Sequence, residues 1–154
     1  MSFLTRVCQS LSEAGVSYAV VGGHAVALHG AVRGTVDVDI ALTWNKKALR
    51  ITEQVLSNLG LVSRLPVSAE DVFLFRDEYI NNRNLIGWNF YNPDNLTEQV
   101  GVVINYDLKG KKLKRITTAD STINILNIKD LIKMKNASGR PQDIEDVKAL
   151  EKLV

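Results

Sequence analysis

A chain of 154 residues is about one domain's worth of polypeptide, long enough to bury one good core. Its 19 Lys plus Arg stand against 17 Asp plus Glu. The resulting formal charge of +2 is too near neutral for a strong nucleic-acid or membrane-surface binder, and the 45% apolar fraction argues against disorder. The lone Cys8 excludes an internal disulfide and argues against a cysteine-built metal centre.

Phe3, Leu4, Val7 and Leu11 fall at helical spacing and predict a helix from Phe3 to Ala14, stopped at Gly15. Ser17 to Val21 is a short β-rich run. Gly22-Gly23 breaks it, and His24 to His29 reads as a short helix closed by Gly30. The longest stretch free of Asp, Glu, Lys and Arg, Ala14 to Val32, contains both of these patterns and four glycines, so it does not read as a membrane span. The first six residues lack the charged and apolar regions of a signal peptide, and a cytoplasmic protein is expected.

Val36 to Leu42 alternates, with Val36, Val38, Ile40 and Leu42 on one face and Asp37, Asp39 and Ala41 on the other. Asn45 is placed to cap a helix from Lys46 to Leu59 that ends at Gly60. Residues 61–84 are less regular, with a short helix or strand near Asp71 to Phe75. Leu85 to Tyr91 and Val100 to Tyr106 read as strands, and Lys111 to Ile125 as further strand with a turn near Ala119-Asp120.

The tail is helical. Ile128, Leu131, Ile132 and Lys135 share a face of a helix stopping around Gly139. Pro141 opens a second helix whose predicted buried stripe is Ile144, Val147, Leu150 and Leu153. This order of elements predicts one α/β (α+β) domain over residues 1–154, a mixed sheet flanked by helices with two helices at the end.

The chemistry concentrates at Asp37 and Asp39. Two carboxylates at i and i+2 on a strand share a face roughly 6.5 Å apart and repel unless a cation sits between them. Such a pair suits Mg²⁺, a hard cation that takes oxygen ligands and keeps waters for a phosphate substrate; the alternative is two solvated acids. Gly22-Gly23, at a strand-to-helix junction fourteen residues before Asp37, is the second piece, because backbone N–H groups at a helix start attract phosphate.

The segment Val20-Val21-Gly22-Gly23-His24-Ala25-Val26-Ala27-Leu28-His29-Gly30, followed by Arg33-Gly34-Thr35-Val36-Asp37-Val38-Asp39-Ile40, resembles the signature of the nucleotidyltransferase fold of the DNA polymerase beta superfamily. The closest likeness is to bacterial nucleotidyltransferases of the abortive-infection toxin type and their small relatives. The tail from Asp130 to Val147 is similar to their closing helices. The resemblance implies transfer of a nucleoside monophosphate from an NTP to an acceptor, whether protein, RNA or small molecule. Asp37 and Asp39 would be catalytic ligands of Mg²⁺ or Mn²⁺, Gly22 and Gly23 phosphate contacts, and Arg33, Thr35 and Lys135 further nucleotide contacts. The family's third acid, on a later strand, falls on Gly101 in Val100-Gly101-Val102-Val103. Asp107, of the same parity on an extended strand, is the expected substitute. The alternative activity is a nucleotide- or partner-binding module with little turnover, such as an antitoxin.

The remaining candidates carry bland readings. Arg33 serves equally as a structural bond to loop carbonyls, and Lys135 as a snorkelling surface lysine. Arg140, Asp143 and Asp146 read as mutual ion pairs or helix caps. His24 and His29 read as structural, and Trp44 and Trp88 as packing rather than base-stacking residues. The basic run Lys109, Lys111, Lys112, Lys114 and Arg115 reads as a solvated turn, or a guide for a polyanionic acceptor.

Overall fold

The computed structural model describes residues 1–119 and 121–154; the tip of the predicted turn at Asp120 lies outside them. Helix α1 (Phe3–Glu13) is capped by the Ser2 hydroxyl, which accepts from the Thr5 amide, and it buries Val7, Cys8 and Leu11. Gly15, at φ 77°, reverses the chain into β1 (Tyr18–Val21), which is buried along its length. Helix α2 (Gly22–Leu28) begins at the glycine pair itself, two residues earlier than His24.

Strand β2 (Val38–Leu42) is shorter than the alternation predicts, so Asp37 stands just before the strand and Asp39 within it. Ala41 is as buried as Ile40, which means that both faces of β2 are covered rather than one. Helix α3 (Lys46–Asn58) is capped as the sequence predicts, with Asn45 Oδ1 accepting from the Ala48 amide at 2.7 Å. The irregular stretch resolves into β3 (Val62–Ser63), α4 (Ala69–Leu74) and α5 (Arg76–Arg83), and α4 is closed by a Ser68–Asp71 capping box.

Strands β4 (Gly87–Asn92) and β5 (Asn95–Val103) form a hairpin. The predicted strand Val100 to Tyr106 is thereby displaced. β5 starts earlier because its polar first half pairs with β4, and it ends at Val103, leaving Asn105 and Asp107 off the sheet. Strands β6 (Leu113–Thr117) and β7 (Thr122–Leu126) form a second hairpin, followed by α6 (Ile128–Ser138) and α7 (Pro141–Glu151).

One seven-stranded mixed sheet results, in the order β3-β4-β5-β2-β1-β7-β6. β2 runs parallel to β5 and antiparallel to β1, while β1 runs parallel to β7. Tyr18, Ile40, Leu42, Trp88, Val102 and Ile125 are fully buried in it. The α7 stripe differs from expectation. Val147 and Leu150 are buried, but Ile144 is 50% and Leu153 45% exposed, and Asp143 and Asp146 take the inward positions instead. The cause is Lys135 on α6, 6% exposed, whose ammonium lies 3.3 Å from Asp143 and 2.9 Å from Asp146. Buried charge is tolerated where it is paired, and this pairing turns α7 about its axis.

Candidate functional site

Four residues line up across the sheet. Val21 of β1 pairs with Asp39, Asp39 with Gly101 of β5, and Gly101 with Asn89 of β4. The register thus puts Gly101 directly beside Asp39, at the position where the resemblance calls for a third acid. The Asp39 carboxylate is pressed between two glycines. A Cβ on Gly101 would stand 2.7 Å from Asp39 Oδ1, and one on Gly22 would collide with Oδ2. Gly22 also has φ 69°, so glycine is required there twice over. Gly23 does different work: a Cβ there would lie 2.8 Å from the Cβ of Thr35, so its bareness lets the loop carrying Thr35 pack against α2.

Asp39 is half-buried, and its carboxylate makes no hydrogen bond or ion pair among the described residues. Burial, and after it the neighbouring charge of Asp37, push its pKa up to about 6, while Lys135, Arg140 and Arg33 pull the other way from a distance. A half-buried acid in this state favours an incoming cation. Helix α2 begins beside it with no side chain capping its first amides, which leaves N–H groups at a positive dipole end next to the two acids.

Arg33 and Lys135 are brought near Asp39 but are engaged elsewhere. Arg33 Nε donates to Asp146 Oδ1 at 2.9 Å, and its Nη1 donates to the Gly34 carbonyl. Lys135 is neither a snorkelling surface lysine nor an open hand for nucleotide, because Asp143 and Asp146 hold it. Burial alone would raise both aspartates. Their contacts outweigh it, Arg140 and Ser138 holding Asp143 well below the carboxylate range, and Lys135, Arg33 and Gln142 holding Asp146 below it. Arg140 and Asp143 also close a capping box at the start of α7.

Asp107 is not at this site. Its Oδ1 accepts from the amides of Trp44 and Lys109, both at 3.0 Å, which fixes the loop beyond the far end of β2. Trp44 lies seven residues of extended chain from Asp37, roughly 20 Å away along the strand. The expectation that Asp107 replaces the missing acid is therefore overturned by the early end of β5. Asp107→Asn should leave any transfer activity of the chain unchanged within about twofold, because a carboxylate this far from Asp37 and Asp39 cannot act as a base beside them; a label-transfer assay checks this.

The other candidates take structural places. His24 Nε2 faces the Val36 carbonyl and His29 Nε2 the Leu126 carbonyl. Trp88 is fully buried with its indole N–H donating to Ser63 Oγ, and Trp44 packs under the Arg76 guanidinium. The basic run occupies an exposed turn and the edge strand β6. Among the described residues no three His, Cys, Asp or Glu side chains converge as a cation site.

Residues 4–153 match the family described as nucleotidyltransferases of unknown function (DUF6036). The chain belongs to this family. No curated protein matches the sequence significantly. Solved structures share the nucleotidyltransferase fold at low identity. An antigenic nucleotidyltransferase-like protein from Paracoccidioides brasiliensis is 16% identical, with a TM-score of 0.62 over 98% of this chain and 74% of its own. The lincosamide antibiotic adenylyltransferase LnuA, solved with lincomycin, is 11% identical, with a TM-score of 0.63 over 99% and 96%. ANT(2")-Ia, in complex with adenylyl-2"-tobramycin, is 13% identical, with a TM-score of 0.60 over 96% and 88%. One residue of the row through Asp39 went unread in the sequence. Asn89 sits two strands from Asp39, and only the register reveals it.

Proposed function

We propose that this chain transfers a nucleoside monophosphate from an NTP to an acceptor hydroxyl, with a divalent cation, Mg²⁺ or Mn²⁺, held at Asp37 and Asp39. The observation that carries this reading is the Asp39 carboxylate, lodged between Gly22 and Gly101 without a cationic partner among the described residues, at the start of α2. The donors fit the ion: they are hard oxygens, one of them half-buried beside a second acid, a combination that raises Asp39 until a cation offsets it. When bound, the ion would neutralise triphosphate charge and steady the leaving oxygen.

The chain's own residues then have separable tasks. The uncapped first amides of α2 receive phosphate oxygens. Gly22 lets the backbone approach closely, while Gly23 and Thr35 fix the loop that presents Asp37. Arg33 and Lys135, tied to Asp146, set the positive field behind Asp39 rather than grip the nucleotide. The NTP donor supports a cytoplasmic setting; separately, no helix among the described residues is long and apolar enough to cross a membrane. The fold neighbours include adenylyltransferases of antibiotics, which supports a small-molecule acceptor as the first to try.

A second reading has one observation behind it. β5 offers Gly101 where a base-bearing carboxylate would stand, so nucleotide is bound and turned over slowly, as in a binding module such as an antitoxin. One experiment separates the two. Protein, Mg²⁺ and each α-labelled NTP are mixed with cell extract, then digested with protease or RNase. A labelled acceptor that disappears with chelator supports the transferase. Tight metal-dependent NTP binding without any labelled product supports the binding module. No metal-dependent NTP binding at all sinks both.

A further inference from the structure

The row that runs through Asp39 ends on an exposed amide. Asp39, Gly101 and Asn89 are lateral partners on three neighbouring strands, and lateral partners in a sheet project to the same side. The point where a Gly101 Cβ would sit is 2.7 Å from Asp39 Oδ1 and 3.0 Å from Asn89 Oδ1. Two acceptor oxygens thus close on one point. Gly87 gives the amide room on its other flank, because a Cβ there would stand 3.3 Å from Asn89 Oδ1. The Asn89 main-chain carbonyl is spent on the Arg64 amide, and its side-chain oxygen is left facing Asp39 with no donor between them. An amide can turn either its oxygen or its N–H₂ toward a neighbour, and the Asn89 side chain makes no hydrogen bond among the described residues, so its oxygen is free to meet a cation beside Asp39.

We propose that Asn89 Oδ1 is the third oxygen ligand of the cation held by Asp37 and Asp39, supplied from β4 in place of the carboxylate that β5 lacks at Gly101. The assignment rests on the cation reading above. A side-chain amide oxygen is an ordinary ligand for hard divalent cations. It completes the coordination without adding charge, so the site carries two negative charges rather than three and has no carboxylate free to take the acceptor's proton. Glycine at 101 is then a requirement, because any Cβ there would occupy the point on which the two oxygens converge.

The test is titration of Mn²⁺ into the full chain, with and without ATP, following free Mn²⁺ by its electron paramagnetic resonance signal. Wild type is compared with Asn89→Ala, Asn89→Asp and Asp39→Asn, and each is melted by circular dichroism. Asn89→Ala should weaken Mn²⁺ binding about tenfold and Asn89→Asp tighten it by about as much, since affinity follows ligand number and charge. Asn89→Ala should melt close to wild type, since Asn89 is exposed, while Asn89→Asp should melt lower in chelator and recover with Mn²⁺. Equal affinity in wild type and both Asn89 variants, with binding lost in Asp39→Asn, overturns the role of Asn89 and leaves the cation reading standing. Wild-type protein that takes up no Mn²⁺ even with ATP overturns the cation reading and this assignment together.

Discussion

Asp39→Asn should abolish metal-dependent nucleotide binding and transfer while making the metal-free protein more stable. The two effects have one origin. In the fold, burial, and after it the charge of Asp37, push Asp39 up to about 6 from an ordinary value of 3.8, and no cation pairs with it among the described residues. An acid raised on folding binds its proton more tightly in the native state. Ionising it therefore costs stability, and that cost grows as pH rises from about 4 to about 6 and is fully present at pH 7. At 1.36 kcal/mol per pH unit, reduced for partial solvent access, the cost is about 2 kcal/mol. Asparagine removes the charge and keeps the shape. In chelator at pH 7 the variant should melt about 5 °C higher than wild type, and the gain should shrink as pH falls and vanish below about pH 3, where Asp39 is protonated in both states. Added Mg²⁺ should raise the melting temperature of wild type and leave the variant untouched. Transfer should fall by at least 10²-fold, the usual worth of a fixed electrostatic contact to developing charge. A variant that melts below wild type in chelator at pH 7 would show that Asp39 is held by contacts other than the two glycines that flank it.

Lys135→Met should be the most destabilising single substitution at the junction of α6 and α7. Removing one partner of a buried ion pair leaves charge uncompensated and costs about 3–5 kcal/mol. Arg140 and Arg33 remain to share Asp143 and Asp146, so the lower figure applies, a melting temperature about 10 °C below wild type. The pH profile identifies the cause. Both aspartates are held below the usual carboxylate value in the fold, so their stabilisation is present above pH 4 and is lost as pH falls through their native values. Losing Lys135 should flatten this acid limb. Pairing the change with Asp146→Leu, which lowers the surplus negative charge left behind, should restore part of the loss. Unchanged melting and an unchanged acid limb in Lys135→Met would mean that the cluster is solvated and does not orient α7.

The elements on which the site is built were legible because their signals are local. The glycine stop at 15, the Asn45 cap, the proline at 141 and the alternation into Ile40 each depend on a few neighbouring residues. What the sequence hid depends on distant partners. Ile144 and Asp143 are adjacent on α7, and which of them turns inward is decided by a lysine on another helix. The reach of β5 is set by hydrogen bonds to β4 from a polar run, Asn95 to Gln99, that carries no hydrophobic period. The hydrophobic period alone therefore starts this strand too late and sets Asp107 on a face that it does not share. Asn89 showed only as the polar residue between Trp88 and Phe90, because strand register is not written in either strand alone.

The acids at 37 and 39 are translated early, yet their neighbours are not. The parallel partner of Asp39 lies at Gly101, and the loop bearing Arg33 is tied to Asp146, 113 residues further along the chain. At roughly 5–20 residues per second on a ribosome, the first carboxylate emerges several seconds before the strand that flanks it and the helix that braces its loop. Pairings so distant in sequence also close slowly once the chain is free. A nascent chain therefore carries the two acids before the strand and helix that surround them are in place. The row through Asp39 is complete only once β5 has paired with β2, and the loop bearing Arg33 is braced only once α7 has docked, so the surroundings of the two acids depend on the far end of the chain.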